Sequence, residues 1–527
     1  MTYTSEQLVL LTEKRHPEFK KKLPHWLFLE LCYEGGREWF DKHIFKYFKE
    51  GDNEYKERIE RAYRFNHSKE VVDLVCKYIF KSKIFRNIKN APDEIKDFWE
   101  KTTKNGQTNI EKFIRQVARD SSIYGRIWLV VDNNRVIDLN LGIQISSEDG
   151  EDEDNDVDNQ RDYTYIVKPQ HVLDLSYDDN GELNWILLAE TFRSNADPFS
   201  KDDSVNARFR LWTKMDWYLI EETSDGTTIG KRCDLIDSGT HGLGIVPVFP
   251  VDHNDTDELY TSPSLIADIA YLDRACANYL SNLDAIIQDQ SFSQLAMPAQ
   301  NLMPGEESYN KMVEVGTKRI FMYDGEGGSQ PFFLSPDPKQ AELIITAISK
   351  IINEIYHTVG MAGERTKQDN SVGIDNSSGV AKAYDFERVN ALLTTKAVAL
   401  KRAEVKLAFF VMLWNGKPMS EDEISELITY PETFDVRGIA DEFSIAQNLI
   451  LVEAPIELMR QQIKVLIDKL FPTIDDAIKD TMYAAADKME STSTLMANEA
   501  AAQAQITMKQ PNTGMKGNTQ GENNTGK

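Results

Sequence analysis

Cysteine is scarce. Cys32, Cys76, Cys233 and Cys276 lie far apart with no CxxC pair, which argues against a zinc ribbon or a disulfide framework and fits folding in a reducing setting. Long apolar runs are missing too. Nothing approaches the roughly 18 apolar residues that span a bilayer, and the N-terminal MTYTSEQLVLLTEKRHPEFKKK has no uninterrupted apolar core, so a soluble, non-secreted chain with no membrane contact is expected. Positive charge is outnumbered: 60 Lys and Arg face 85 Asp and Glu, a formal charge of −25. That excludes a protein that wraps nucleic acid with an overall basic surface. An acidic protein still handles DNA if it must not hold it tightly.

Catalytic signatures are equally thin. The eight histidines form no HxxxH or HExxH pair, and no GxSxG elbow exists, so no metal site or nucleophile elbow is expected. GTTIGKR at 226–232 has one residue too few between its glycines for a phosphate loop and no Ser or Thr after Lys231. Gly325, Gly327 and Gly328 precede Pro331 rather than a helix N-terminus, so they read as a turn. The acidic run EDGEDEDNDVD at 148–158 reads as a solvated loop; as a calcium loop it lacks the glycine and distal glutamate of an EF-hand. No enzyme, metal or cofactor is expected.

What is present is a chain of 527 residues with globular composition, 41% hydrophobic and 10% aromatic, enough for two to four domains. Helical spacing dominates up to about residue 120, strongest in YKERIERAYRFNHSKEVVDLVCKYIF at 55–80, with Asn66, His67 and Ser68 expected to split it into two helices. A helix over 109–122 ends at Gly125, before the strand RIWLVVD. Strands then run to about 251 as one antiparallel sheet, with Asn180-Gly181 and Asp225-Gly226 as two-residue hairpin turns.

Two segments carry heptad spacing. Behind Ser262 as expected N-cap, Leu265, Ile269, Leu272, Cys276, Tyr279, Leu283 and Ile286 recur at intervals of four and three. Behind Pro338, Ala341, Ile345, Ile348, Ile352, Ile355 and Val359 do the same, with Ile344 and Ile351 widening the stripe. Strands and turns at 291–337 form a small insertion between them. A polar, glycine-containing stretch, GMAGERTKQDNSVGIDNSSG at 360–379, then leads into a third long helix that ends near Trp414. Helices follow over about 438–502, and the tail from about 508 reads as disordered.

The order of these pieces resembles the portal protein of tailed bacteriophages, in the siphophage-like group. The similarity covers about 55–470. It rests on the arginine-bearing helix leading through Asn66 into an apolar helix, on RDSSIYGRIWLVVD with its break at Gly125, and on the hairpin HVLDLSYDDNGELNWILLAE. It rests also on GLGIVPVFPV leading into SPSLIADIAYLDRACANYLSNLDAII, and on SSGVAKAYDFERVNALL. Each motif is loose alone; the weight lies in their order.

The resemblance implies an α+β portal fold. Its parts are a mixed helical and antiparallel-sheet wing at 1–261, a stem of two helices at 262–290 and 338–359, and a small α/β clip at 291–337. A tunnel loop at 360–379, a long wing helix and strand at 380–437, a helical crown at 438–507 and a tail at 508–527 complete it. Such portals are homo-oligomeric rings, commonly of twelve subunits, at one capsid vertex of the virion after assembly in the host cytoplasm. Double-stranded DNA passes through the ring. The implied partners are the terminase large subunit, the major capsid protein and the head-tail connector (adaptor) protein, with a scaffold protein left open.

Mapped onto this sequence, the resemblance assigns DNA contact to Arg365, Lys367, Gln368 and Asn370 of the tunnel loop. Lys318, Arg319 and Tyr323 of the clip would meet terminase or connector. Leu265, Ile269, Leu272, Tyr279, Leu283, Ile345, Ile348 and Ile352 would pack the stem between subunits. Residues 257–289 carry six acids against Arg274 alone, and acids lining a tunnel repel phosphates; Asp268 and Asp284 are the candidates. The heptads also suit burial within one subunit or a coiled-coil adaptor dimer, and a metal-dependent phage nuclease is the alternative of a different class.

Overall fold

The computed structural model describes residues 3–47, 50–81, 83–133, 137–138, 143–144, 161–193, 205–223, 232–254, 256–291, 294–298, 320–323, 330, 332–334, 339–360, 379–431, 434, 439–452, 454–471 and 476–488. The chain divides into two compact units, Met1–Phe434 and Asp435–Lys527. Helices and mainly antiparallel strands share the first unit; three helices make the described part of the second.

In the first unit, helices Ser5–Thr12, Pro17–Glu34, Arg37–His43, Asp52–Arg61, His67–Ile79, Asp93–Glu100 and Ile110–Tyr124 precede the main strands. The split expected at 66–68 falls slightly earlier. Residues 62–66 are non-helical and Asn66 is the N-cap, its side chain accepting from Lys69 N–H at 2.9 Å, so His67 and Ser68 open the second helix. Helix Ile110–Tyr124 starts with the same chemistry at Asn109 and ends at Gly125, whose φ is +84°. A Cβ on Gly125 would lie 2.1 Å from the carbonyl oxygen of Ser262. The glycine is required twice, by its backbone angle and by the chain packed against it.

The strand region is two main sheets, not one. Arg126–Asn133 runs centrally between Val248–Asp252 and Asp162–Val167, and Val172–Tyr177, Leu183–Arg193, Val205–Thr213, Asp216–Thr223 and Arg232–Thr240 form a five-stranded antiparallel meander. The Asn180-Gly181 turn is longer than expected. Asp178 N–H donates to Glu182 O at 2.8 Å around a three-residue loop, and the Asp178 carboxylate accepts from the N–H groups of Asn180 and Glu182, both at 2.9 Å. The side chain thereby closes a wider turn than the dipeptide alone specifies. Asp225-Gly226 lies outside the described residues.

The three-stranded sheet packs on helix Ile110–Tyr124 and on the 36-residue helix Gly379–Trp414. Phe249 stacks on Phe410 with ring centroids 5.7 Å apart, and Trp414 Nε1–H donates to Val131 O at 3.1 Å. Val131, Leu400, Leu407 and Val411 are buried there. Of the strand expected around 427–436, the described residues show Ile428–Thr429, paired antiparallel with Phe85–Arg86; residues 432, 433, 435 and 436 lie outside the described residues.

Among the described residues the second unit holds the helices Ile439–Leu451, Ile456–Leu470 and Asp476–Asp487. Lys464–Asp487 and Lys479–Asp468 ion pairs, at 2.7 and 2.6 Å, link its helices.

Candidate functional site

Helices Ile269–Ser291 and Lys339–Thr358 pair as a hairpin. Between them lies a small sheet in which Gln294–Pro298 is central, parallel to Ile320–Tyr323 and antiparallel to Phe332–Leu334. The first helix starts later than the heptad suggests. Residues 262–264 have no regular structure and 265–268 form turns, bound to the end of helix Ile110–Tyr124: Ser264 Oγ–H donates to the carbonyls of Ile123 and Ser122, at 2.6 and 3.1 Å, and Leu265 N–H donates to Ser122 O at 3.1 Å. Ser262 is therefore not the N-cap, and Leu265 precedes the helix.

The hairpin is held by Cys276, Leu280, Leu283 and Ile348, with Ala341, Ile344, Ile351 and Ile352 packed around them. Of the expected packing residues, Ile269, Leu283 and Ile348 are buried, and Leu272 and Ile352 half-buried. Tyr279 and Ile345 turn outward, Ile345 being 51% exposed and its neighbour Leu343 71%. Leu280, buried in that cluster, takes the place expected of Tyr279; both positions flank the line through Cys276 and Leu283 equally, so spacing alone does not choose between them.

Polar side chains fix the first hairpin helix to the N-terminal helices. Asp273, 1% exposed, accepts from Ser68 Oγ–H at 2.8 Å and Ser68 N–H at 3.2 Å, with the Arg64 guanidinium 3.9 Å away. Arg58 donates to both oxygens of Glu50, at 2.7 and 2.8 Å, and to Ser281 Oγ at 2.9 Å. Those bonds hold the Glu50 carboxyl below its usual range. The Asn278 side chain donates to His43 O and accepts from Phe45 N–H, both at 3.0 Å. Arg274, the lone base of this stretch, lies over Phe28, Tyr271 and Phe45, 5.0 to 5.3 Å from their centroids. From the second helix, the Tyr356 hydroxyl faces His67 Nδ1 at 3.2 Å and donates to Glu70.

The acids of 257–289 therefore have different surroundings. Asp273 is interior, Asp284 is half-buried with Arg61 Nε at 3.5 Å, and Asp268 is exposed in the turn before the helix. Arg365, Lys367, Gln368, Asn370, Lys318 and Arg319 lie outside the described residues, as do 148–158 and the tail. Tyr323 ends the strand Ile320–Tyr323 of the small sheet. Of the seating contacts, sequence singles out His67 and Ser68 only as a helix break and Arg274 only as a lone base; a polar residue inside an apolar stripe, as at Asp273 and Ser281, is the signal that marks the rest.

Among the described residues, no group of three or more His, Cys, Asp or Glu side chains is placed to hold a metal ion. No described helix is long and apolar enough to cross a membrane. A cleft of about 770 Å³ between helix Ile110–Tyr124 and strand Asp162–Val167 is lined in part by Arg119, Asp120, Glu190 and Arg210. Four of its charges pair in place: Arg119 with Asp120 at 2.8 Å, and Arg210, between Asp132 at 3.2 Å and Glu190 at 3.4 Å.

No protein-family model matches the chain, and no curated protein is similar to it. Among solved structures it is similar to one described as "Neck of empty GTA particle computed with C6 symmetry", at 12% identity and a TM-score of 0.37, over 73% of this chain and 85% of that one. A likeness at that level says nothing of what this chain does.

Proposed function

We propose that the chain is the subunit of a portal ring, a conduit for double-stranded DNA at one capsid vertex and a platform for terminase and then connector proteins. The observation that supports this most is the hairpin of Ile269–Ser291 and Lys339–Thr358, which brackets a small sheet and leaves apolar side chains exposed along its helices. Leu343, Ile345, Tyr279 and Ile287 are exposed there. Leu343 and Ile345, two residues apart, point to different sides of their helix; apolar side chains that their own subunit leaves uncovered on two sides suit a copy on each side, and a head-to-tail contact of this kind closes into a ring.

On this reading the small sheet, with Tyr323, and the neighbouring Lys318 and Arg319 meet the docking partner, and Arg365, Lys367, Gln368 and Asn370 touch the passing phosphates. Asp268, exposed at the start of the hairpin, is the better tunnel-wall candidate; Asp284 already engages Arg61. The protein is not an enzyme in this account. Sedimentation velocity of the purified full chain, paired with incubation on duplex DNA and Mg²⁺ or Mn²⁺, separates the readings. Ring-sized particles that leave DNA intact are expected. A monomer that cuts DNA only with metal favours the nuclease, and a stable dimer favours the adaptor.

A further inference from the structure

Lys396 lies mid-way along the long helix Gly379–Trp414 and is 1% exposed. An ammonium removed from water needs a carboxylate or several acceptors. Among the described residues no carboxylate comes within ion-pair distance of Lys396, and its hydrogen bond goes to Ser121 Oγ at 2.6 Å. His253 is enclosed equally, its Nδ1 facing Ser122 Oγ at 3.3 Å and its N–H donating to Gly125 O at 2.6 Å.

The surrounding titratable groups are already engaged or uncharged. Asp252 is held through both oxygens by Arg126, at 2.6 and 2.8 Å. From helix His67–Ile79, Cys76 acts on Lys396, and burial pushes its thiol up to about 11, which keeps it neutral; Asp73 accepts from the Tyr33 hydroxyl at 2.9 Å. From helix Ile110–Tyr124, Arg119 and Asp120 pair with each other.

Ser122 and Ile123, in the last turn of that helix, also hold Ser264 and Leu265, the segment leading into the hairpin. We infer that Lys396 and His253 form a proton-sensitive joint: neutral, they let the long helix, the end of helix Ile110–Tyr124 and residues 262–265 pack together; protonated, they loosen the foot of the hairpin. The inference rests on packing inside one subunit and does not depend on the ring reading.

The sign follows from linkage. Burial pushes the Lys396 amine down to about 7 from an ordinary 10.5, and the His253 imidazole well below 6.5. Between about 7 and 10.5 the unfolded chain holds a proton on this amine that the folded chain lacks, so stability rises with pH across that window. Below about 7 the amine takes up its proton within the folded state, and its contribution to the slope ends while the loosened population grows. His253 contributes with the same sign below 6.5.

Hydrogen exchange of the full chain at pH 6.0 and 8.5, corrected for intrinsic rates, tests this in wild type and Lys396→Met. The wild type should lose about thirtyfold protection, the effect of the roughly 1.5 pH units between 8.5 and the folded value near 7, at pH 6.0 in peptides covering 119–125, 262–272 and 391–400. Lys396→Met should lose clearly less, only the smaller part that His253 carries below 6.5. Equal wild-type protection at both pH values, or an equal loss in the variant, overturns the inference. Should Lys396→Met not fold, the wild-type urea midpoint decides: it must rise from pH 7 to 10, and a flat profile overturns the joint.

Discussion

Glu404 of the long helix grips Arg86 with both carboxylate oxygens, at 2.6 and 3.1 Å, although 318 residues separate them. The Tyr430 hydroxyl donates to the same carboxylate at 2.7 Å. The contact joins the short strand Phe85–Arg86 and its partner Ile428–Thr429 to the helix that follows the hairpin. Glu404 is buried and Arg86 nearly so, which makes the pair costly to break from one side. Arg86→Met leaves the carboxylate enclosed without its cation and should destabilise the first unit by about 3–5 kcal/mol, read as a lower urea midpoint; a loss below about 1 kcal/mol would show that solvent reaches this site.

Ser68→Ala removes the shorter of the two hydrogen bonds that Asp273 accepts from Ser68. A bond to a charged group is worth about 1.5–3 kcal/mol. Faster amide exchange in residues 269–285, with little change in the five-stranded meander, is the expected pattern, measured on the full chain by mass spectrometry.

Gly125→Ala should be among the most damaging single substitutions. It puts a methyl 2.1 Å from Ser262 O on a backbone with φ of +84°. The variant is expected to express as insoluble protein or to lose more than about 3 kcal/mol, checked by soluble yield and urea unfolding.

Leu343→Glu with Ile345→Lys alters exposed positions that support no described core. The circular dichroism spectrum should stay that of the wild type while large particles are lost from sedimentation profiles. Unchanged assembly would move the subunit contact to other residues.

Legibility in the sequence varied with the range of the interactions involved. Helix Ile110–Tyr124 was readable because its N-cap, Asn109, and its terminator, Gly125, are local. The hairpin helices were readable through their apolar rhythm, but the start at Ile269 was not, since Ser264 bonds to carbonyls 141 and 142 residues earlier. One sheet was expected where two form, because alternation marks strands but not which strand each one meets. Of the residues assigned to subunit packing, Ile345 and Tyr279 are exposed, and Ile269 and Leu283 are buried within the subunit. Lys396 carried no sequence signal at all. A lysine in a long helix reads as solvent-facing until the strand Val248–Asp252 and the residues after it are packed across it.

The central claim is assembly into a closed ring, and negative-stain electron microscopy of the purified full chain tests it most directly. The account predicts ring-shaped end views with a central channel, lost in the Leu343→Glu, Ile345→Lys variant. Monomers or dimers at every salt and protein concentration sampled would contradict it.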